Sequence, residues 1–172
     1  MSVGFDIMAS IEERMTMGMI ENSYTGPESE LTARIIGAAI EVHQELGCGL
    51  KEEFYEAALC WELQQRGMVV DRQALCPVVY KGMVLSNGDD HSKRIDLLVE
   101  DKIVVELKAV SHDDPVFVAQ CLSYLRMKNL EVGLVLNFGF STMKEGIRHV
   151  INGRASASPQ TLRDLPPLKT LC

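Results

Sequence analysis

No stretch of the 172 residues approaches the roughly 18 consecutive apolar side chains that a membrane span requires. The opening stretch, MSVGFDIMASIEERM, carries acids where a secretory signal would run unbroken and apolar. Cysteine is sparse and poorly placed. Cys48, Cys60, Cys76, Cys121 and Cys172 form no CxxC pair and have no histidine at finger spacing, which argues against a disulfide framework and against a zinc site. Cys60 and Cys121 stand among apolar neighbours and are expected to be buried thiols. Basic charge is short as well, since 17 Lys and Arg face 24 Asp and Glu, for a formal net charge of -7. A dedicated DNA-binding module shows a basic surface. Any nucleic-acid contact here must therefore be local, assisted by a metal, or shared with a partner. The expectation is a cytoplasmic chain with no membrane role and no internal repeat, its core supplied by one domain of about 120 residues with tails.

What is present divides into periodic segments. Residues 1 to 30 are Met-rich and close on the loop-like TGPESE, with MASIEERMTMGMI as a short amphipathic helix. LTARIIGAAIEVHQELG predicts a helix from Leu31 to a stop at Gly47, with Ile36, Ala39, Ile40, His43 and Leu46 at helical spacing and His43 as a core or capping histidine. LKEEFYEAALCWELQQRG predicts a second helix ended by Gly67. Phe54, Ala58 and Trp61 draw its most obvious buried stripe, and Glu52, Tyr55 and Leu59 line an adjacent one. MVVDRQALCPVVYKGMVL reads as strand, demoted to an edge or bulge at Pro77, and SNGDDHS as a turn. DPVFVAQCLSYLRMKN predicts a helix starting near Asp113 or Asp114 with Pro115 in its first turn, and with Gln120, Tyr124 and Lys128 on one face. EVGLVLNF alternates Val132, Leu134 and Leu136 as a strand. STMKEGIRHVIN predicts a closing helix with Thr142 and Glu145 spaced as a capping box. The Ser- and Pro-rich end, 153 to 172, reads as a tail. The order implies an α/β domain over 31 to 152, a mixed central β-sheet flanked by helices.

The most informative stretch is RIDLLVEDKIVVELKAV, Arg94 to Val110. Asp96, Glu106 and Lys108 alternate with apolar residues as in a strand with two unlike faces, and Glu100-Asp101-Lys102 breaks the run as a turn. If pairing is centred on Asp101, Ile95, Leu97 and Val99 share a face with Ile103, Val105 and Leu107. Asp96 then stands opposite Glu106, with Lys108 following on the same face. A structural ion pair is one reading, but Lys108 can compensate only one carboxylate, and two like charges at this range repel or force one to protonate. A divalent cation removes that difficulty.

Asp96, followed by Glu106-Leu107-Lys108, resembles the D…ExK signature of the PD-(D/E)XK nuclease superfamily. GLKEEFY, Gly49 to Tyr55, resembles the Gly-x-x-Glu-x-x-Tyr pattern of its GxxExxY group. VHQELGCGLKEEFYEAAL, AQCLSYL and GLVLNFG…KEGIRHVIN agree with that group in order and spacing over about residues 32 to 152. Ile95 stands where the superfamily name has Pro, and Cys48 replaces a Pro expected between the glycines before Glu52, which loosens the expected turn.

The resemblance implies a restriction-endonuclease-like core and a nuclease that hydrolyses phosphodiester bonds with Mg²⁺ or Mn²⁺, DNA ahead of RNA. It implies that Glu52, Asp96 and Glu106 hold the metal with the Leu107 carbonyl, that Lys108 steadies the attacking water and phosphate, and that Gln120 orients Lys108 or the phosphate. Tyr55, Tyr124, Arg94, Arg126 and Lys128 are candidates for substrate contact, with Lys93, Lys144 and Arg148 as further rim cations. Homodimerisation or a partner protein fits an enzyme that cuts two strands. A non-cleaving nucleic-acid-binding or assembly subunit with the same fold is the rival reading.

Overall fold

A computed structural model of the chain describes residues 25 and 26, 28 to 86 and 93 to 153. The N-terminal amphipathic segment, most of the SNGDDHS turn and the C-terminal tail after Gly153 lie outside them.

Glycine ends the first helix and closes the turn behind the second. α1 (Ser29–Leu46) stops at Gly47, whose φ of 67 is left-handed, and α2 (Glu52–Gln65) is followed by Gly67 at φ 76; both are conformations that other residues adopt only with strain. α1 buries Thr32, Ile35, Ala38, Ala39, Val42 and His43, a face rotated slightly from the predicted one, so that Leu46 is exposed. His43 is a core residue, its Nε2 bonded to the Phe140 carbonyl at 3.0 Å.

The expected stripe of α2 is corrected. Phe54 and Trp61 are 53% and 60% exposed, and the helix instead buries Tyr55, Glu56, Leu59, Cys60 and Leu63. The helix offers apolar residues on two sides. The side that wins is the one on which Tyr55 stacks against Phe138, with centroids 4.6 Å apart, and on which its hydroxyl finds backbone partners.

The remaining elements are β1 (Val70–Cys76), β2 (Val79–Tyr80), β3 (Met83–Val84), β4 (Lys93–Val99), β5 (Ile103–Lys108), α3 (Pro115–Lys128), β6 (Val132–Asn137), the single turn α4 (Met143–Gly146) and β7 (Ile147–Ile151). β1 ends one residue before Pro77, which cannot donate to a ladder. The main sheet runs β1-β4-β5-β6-β7, antiparallel except for β5 beside β6, and β2 with β3 forms a separate hairpin. The parallel pair needs a crossover, and α3 supplies it. Asp114 caps α3 by accepting the Val116 N–H at 2.9 Å, and Pro115 follows in the first turn.

The predicted closing helix is also corrected. Only Met143–Gly146 is helical, and Ile147–Ile151 pairs antiparallel with β6. The β-branched residues Ile147, Val150 and Ile151 suit a strand, and β6 would otherwise leave its far edge unpaired. Thr142 and Glu145 contact each other side chain to side chain at 3.1 Å, without a side-chain cap to the backbone. A Cβ at Gly146 would lie 2.0 Å from the Asn137 carbonyl oxygen, so the chain turns here against β6 only because the residue is glycine.

Two apolar layers enclose the sheet. α1 and α2 pack on Leu97, Val99, Ile103, Val105, Leu107, Leu134 and Leu136, and α3 packs on Ala74, Ile95, Leu98, Val104 and Val135. Ile95 therefore does not share a face with Leu97 and Val99 as the simple alternation predicts. The switch falls at Asp96, where the ladder to β1 pairs Arg72 with Leu97 and Ala74 with Ile95 but omits Gln73. At the ends of β5 and β6, Asn137 fastens two loops together. Its amide oxygen accepts from Val110 N at 3.1 Å and Gly139 N at 3.0 Å, and its amide nitrogen donates to His112 O at 3.0 Å.

Candidate active site

The β4–β5 hairpin has the register centred on Asp101: Leu97 pairs with Val105, Leu98 with Val104 and Val99 with Ile103. Glu100 and Asp101 both adopt φ 54 in the turn, and Lys102 N–H donates to Val99 O at 3.0 Å. Beyond Leu97 a carboxylate replaces the backbone ladder. Leu107 N–H donates to Asp96 Oδ2 at 2.8 Å, which fixes Asp96 beside the start of Glu106-Leu107-Lys108.

Glu106 is 1% exposed. Its Oε1 accepts from Lys108 Nζ at 2.6 Å, while its Oε2 is buried with no hydrogen-bond partner among the described residues. The same ammonium donates to the Leu107 carbonyl at 2.8 Å and lies 5.5 Å from the centre of the Phe117 ring. Burial, then the charge of Asp96, push the Glu106 carboxyl up to about 7, and Lys108 only partly offsets them. Burial works against the Lys108 ammonium, but the bond to Glu106 and the charges of Glu106, Glu52 and Asp96 outweigh it and hold its pKa above the ordinary value. Lys108 is thus a firm cation. Burial also raises the Asp96 carboxyl, against the Leu107 N–H and Lys108.

Glu52 opens α2, and its place follows from the turn before it. The Tyr55 hydroxyl donates to Gly47 O at 2.8 Å and accepts from Leu50 N at 3.1 Å, clamping the segment that delivers the helix. Burial raises the Glu52 carboxyl, opposed by Lys108 and assisted by Asp96 and Glu56. Glu52 therefore shares one electrostatic neighbourhood with the hairpin groups. With its side chain fully buried and its hydroxyl committed to backbone, Tyr55 supports the site rather than facing a substrate.

Gln120 Nε2 donates to the Tyr124 hydroxyl at 3.3 Å, and the Lys108 ammonium donates to Glu106 and Leu107 rather than to Gln120. Tyr124 is buried to 3% exposure, and burial raises its phenol against the Gln120 bond, with Glu106 and Asp96 adding to the rise. Arg94 and Arg126 are exposed and Lys128 is half-buried. Arg94 reaches Gln73 O at 3.4 Å, and Lys128 and Lys93 act on the Cys76 thiol. Arg148 is engaged by Asp113 at 2.6 Å.

Sequence reasoning missed a second acid. Glu56 is 6% exposed, with Oε1 held by Arg72 Nε at 2.5 Å and Oε2 by Gln73 Nε2 at 2.8 Å. The signal was its position one helical turn after Glu52, on the side of α2 shared with Leu59 and Leu63.

Among the described residues no three His, Cys, Asp or Glu side chains are gathered as a ready metal-binding cluster. The three predicted acids are coupled through their charges without closing on one point. The donor set nevertheless suits a hard divalent cation: all candidates are oxygen ligands, one buried carboxylate oxygen is orphaned, and Glu106 Oε1 and the Leu107 carbonyl already face a positive charge, that of Lys108.

No helix among the described residues is long and apolar enough to cross a membrane. No match was found among curated proteins or among solved structures. A family model for the PD-(D/E)XK nuclease superfamily does match, over residues 29–150, which runs from the start of α1 to the last residue but one of β7 and takes in all of the site residues just described. By that match, with a mixed five-stranded sheet carrying an Asp and an ExK run on adjacent strands, the chain belongs to the PD-(D/E)XK nuclease superfamily.

Proposed function

We propose that the protein is a divalent-metal-dependent nuclease that hydrolyses phosphodiester bonds, with DNA as its substrate. The observation that carries this reading is the buried Glu106 carboxylate, one oxygen without a partner and the other paired with Lys108. A structural ion pair would satisfy both partners; this one leaves capacity for a second cation. The choice of DNA over RNA, and the narrower likeness to the GxxExxY group, rest on the sequence pattern.

A phosphodiester is anionic and repels hydroxide, so catalysis requires charge neutralisation and an oriented water. Asp96, Glu106 and the Leu107 carbonyl would hold Mg²⁺ or Mn²⁺, with Glu52 contributing from the start of α2. The bound ion would supply Lewis acidity toward the phosphate oxygens. Lys108, protonated because the surrounding acids outweigh its burial, acts as an electrostatic donor rather than a general base. To reach a phosphate oxygen or the attacking water, its ammonium must leave Glu106 Oε1 and Leu107 O. Gln120 and Tyr124 form a polar pair on α3 that would steady the substrate side of the site, with Arg94, Arg126 and Lys128 as rim cations.

The net charge of -7 favours one alternative, an assembly subunit that keeps the fold and does not cleave. Linear, circular and branched DNA and RNA incubated with Mg²⁺ or Mn²⁺ separate the two. Cleavage that disappears in Asp96→Ala and Lys108→Ala supports the nuclease. Binding without cleavage under every condition supports the subunit, and activity that survives both substitutions sinks the site.

A further inference from the structure

Gln73 occupies the middle of an edge strand, yet its backbone takes φ 55 without being glycine. The β1–β4 ladder omits its rung opposite Asp96, and the apolar residues change layers at this point: Ala74 and Ile95 pack beneath α3, while Leu97 packs beneath α1 and α2. A left-handed φ at a residue of this size persists only where the surroundings enforce it. Here the enforcing contact is visible. Gln73 Nε2 donates to the buried Glu56 at 2.8 Å, and Arg72 Nε holds the other oxygen of the same carboxylate at 2.5 Å. In the register of the β1–β4 ladder Gln73 stands opposite Asp96, and its side chain favours the Asp96 carboxylate against the effect of burial.

We propose that Gln73 is a positioning residue: its amide ties Asp96 to the buried Glu56–Arg72 pair and so fixes how Asp96 faces the cation site. The break in the strand is then the means by which an edge residue reaches across the missing rung to a carboxylate on β4. The segment from Arg72 to Gln73 supplies both partners of Glu56, so α2, β1 and β4 meet in one polar knot beneath the site. The importance given to Asp96 rests on the nuclease reading, but the tie itself does not.

Two measurements keep these apart. Mn²⁺ is titrated by calorimetry into wild type and Gln73→Met, which keeps the length of the side chain and loses its amide, with the bond to Glu56 and the polar group opposite Asp96. The expected result is an affinity about tenfold weaker, the scale of losses when a residue orienting a metal ligand is removed. A purely structural Gln73 would lower the urea midpoint and leave the affinity of the folded protein unchanged, which would overturn the proposal. If Gln73→Met does not fold, Gln73→Gly, which takes φ 55 without strain, replaces it with the same two outcomes. In metal-free protein, urea midpoints of Gln73→Gly, Asp96→Asn and the double variant form a cycle. Non-additive midpoints support the tie and additive ones overturn it. A wild type that takes up no Mn²⁺ overturns the nuclease reading, and the cycle then decides the tie alone.

Discussion

Replacing Glu106 by glutamine removes a charge while keeping the shape of the site, and the consequence for stability can be worked through. In the folded protein the carboxyl is held at about 7 against an ordinary 4.5, chiefly by burial. The folded state therefore binds this proton more tightly than the unfolded chain does. The stabilising contribution is complete below about pH 4.5 and is lost as the pH rises toward 7. At about 1.4 kcal/mol for each tenfold change in proton affinity, the full effect is about 3 kcal/mol. Glutamine does not titrate, so the assay is the difference between urea-derived stabilities of wild type and Glu106→Gln from pH 4.5 to 8. The variant should gain on the wild type by an amount approaching that figure, and the gain should level off above pH 7. Mn²⁺ should reverse the order at high pH by binding the wild type alone, with an affinity that climbs about tenfold per pH unit until the carboxyl is ionised. Parallel stability curves across the whole range would refute the reasoning, because they would mean that Glu106 carries no raised proton affinity.

Three further outcomes are expected. Lys108→Met should lower cleavage at least about a hundredfold, as when a single donor to a developing oxyanion is lost, while Mn²⁺ binding measured by calorimetry persists; loss of both would make Lys108 a structural residue. Tyr55→Phe removes bonds to Gly47 O and Leu50 N and should cost about 1 to 3 kcal/mol in urea unfolding, where a change within error would deny the clamp on the turn before Glu52. Gly146→Ala sets a methyl group 2.0 Å from the Asn137 carbonyl and should cost at least about 2 kcal/mol; an unchanged midpoint would mean that the turn into β7 is free to shift.

The hairpin was legible in the sequence because two independent signals agreed there, an alternation of period two and a polar turn centred on Asp101. Together they set the register that places Asp96 beside Glu106-Leu107-Lys108. Where signals competed, reading failed. TMKEGIRHVI carries a capping pair that argues for helix and β-branched residues that argue for strand, and the deciding vote came from the unpaired edge of β6, whose paired residues are 11 to 19 positions away in the chain. On α2, apolar size picked out Phe54 and Trp61, whereas a stacking partner at Phe138 and backbone partners for the Tyr55 hydroxyl chose the other side. The polar knot of Glu56, Arg72 and Gln73 gave still less away, because it depends on a left-handed residue in a strand and on contacts 16 and 17 positions apart. Local patterns carry no trace of either.

The ammonium lodged between Glu106 and the Leu107 carbonyl has a practical corollary. Acids proposed to take up an ion would ordinarily be a liability to the apo protein, yet here they come with a resident counter-charge on a flexible tether. Chelating agents should therefore silence the protein without unfolding it, unlike a zinc finger, whose architecture disappears with its metal.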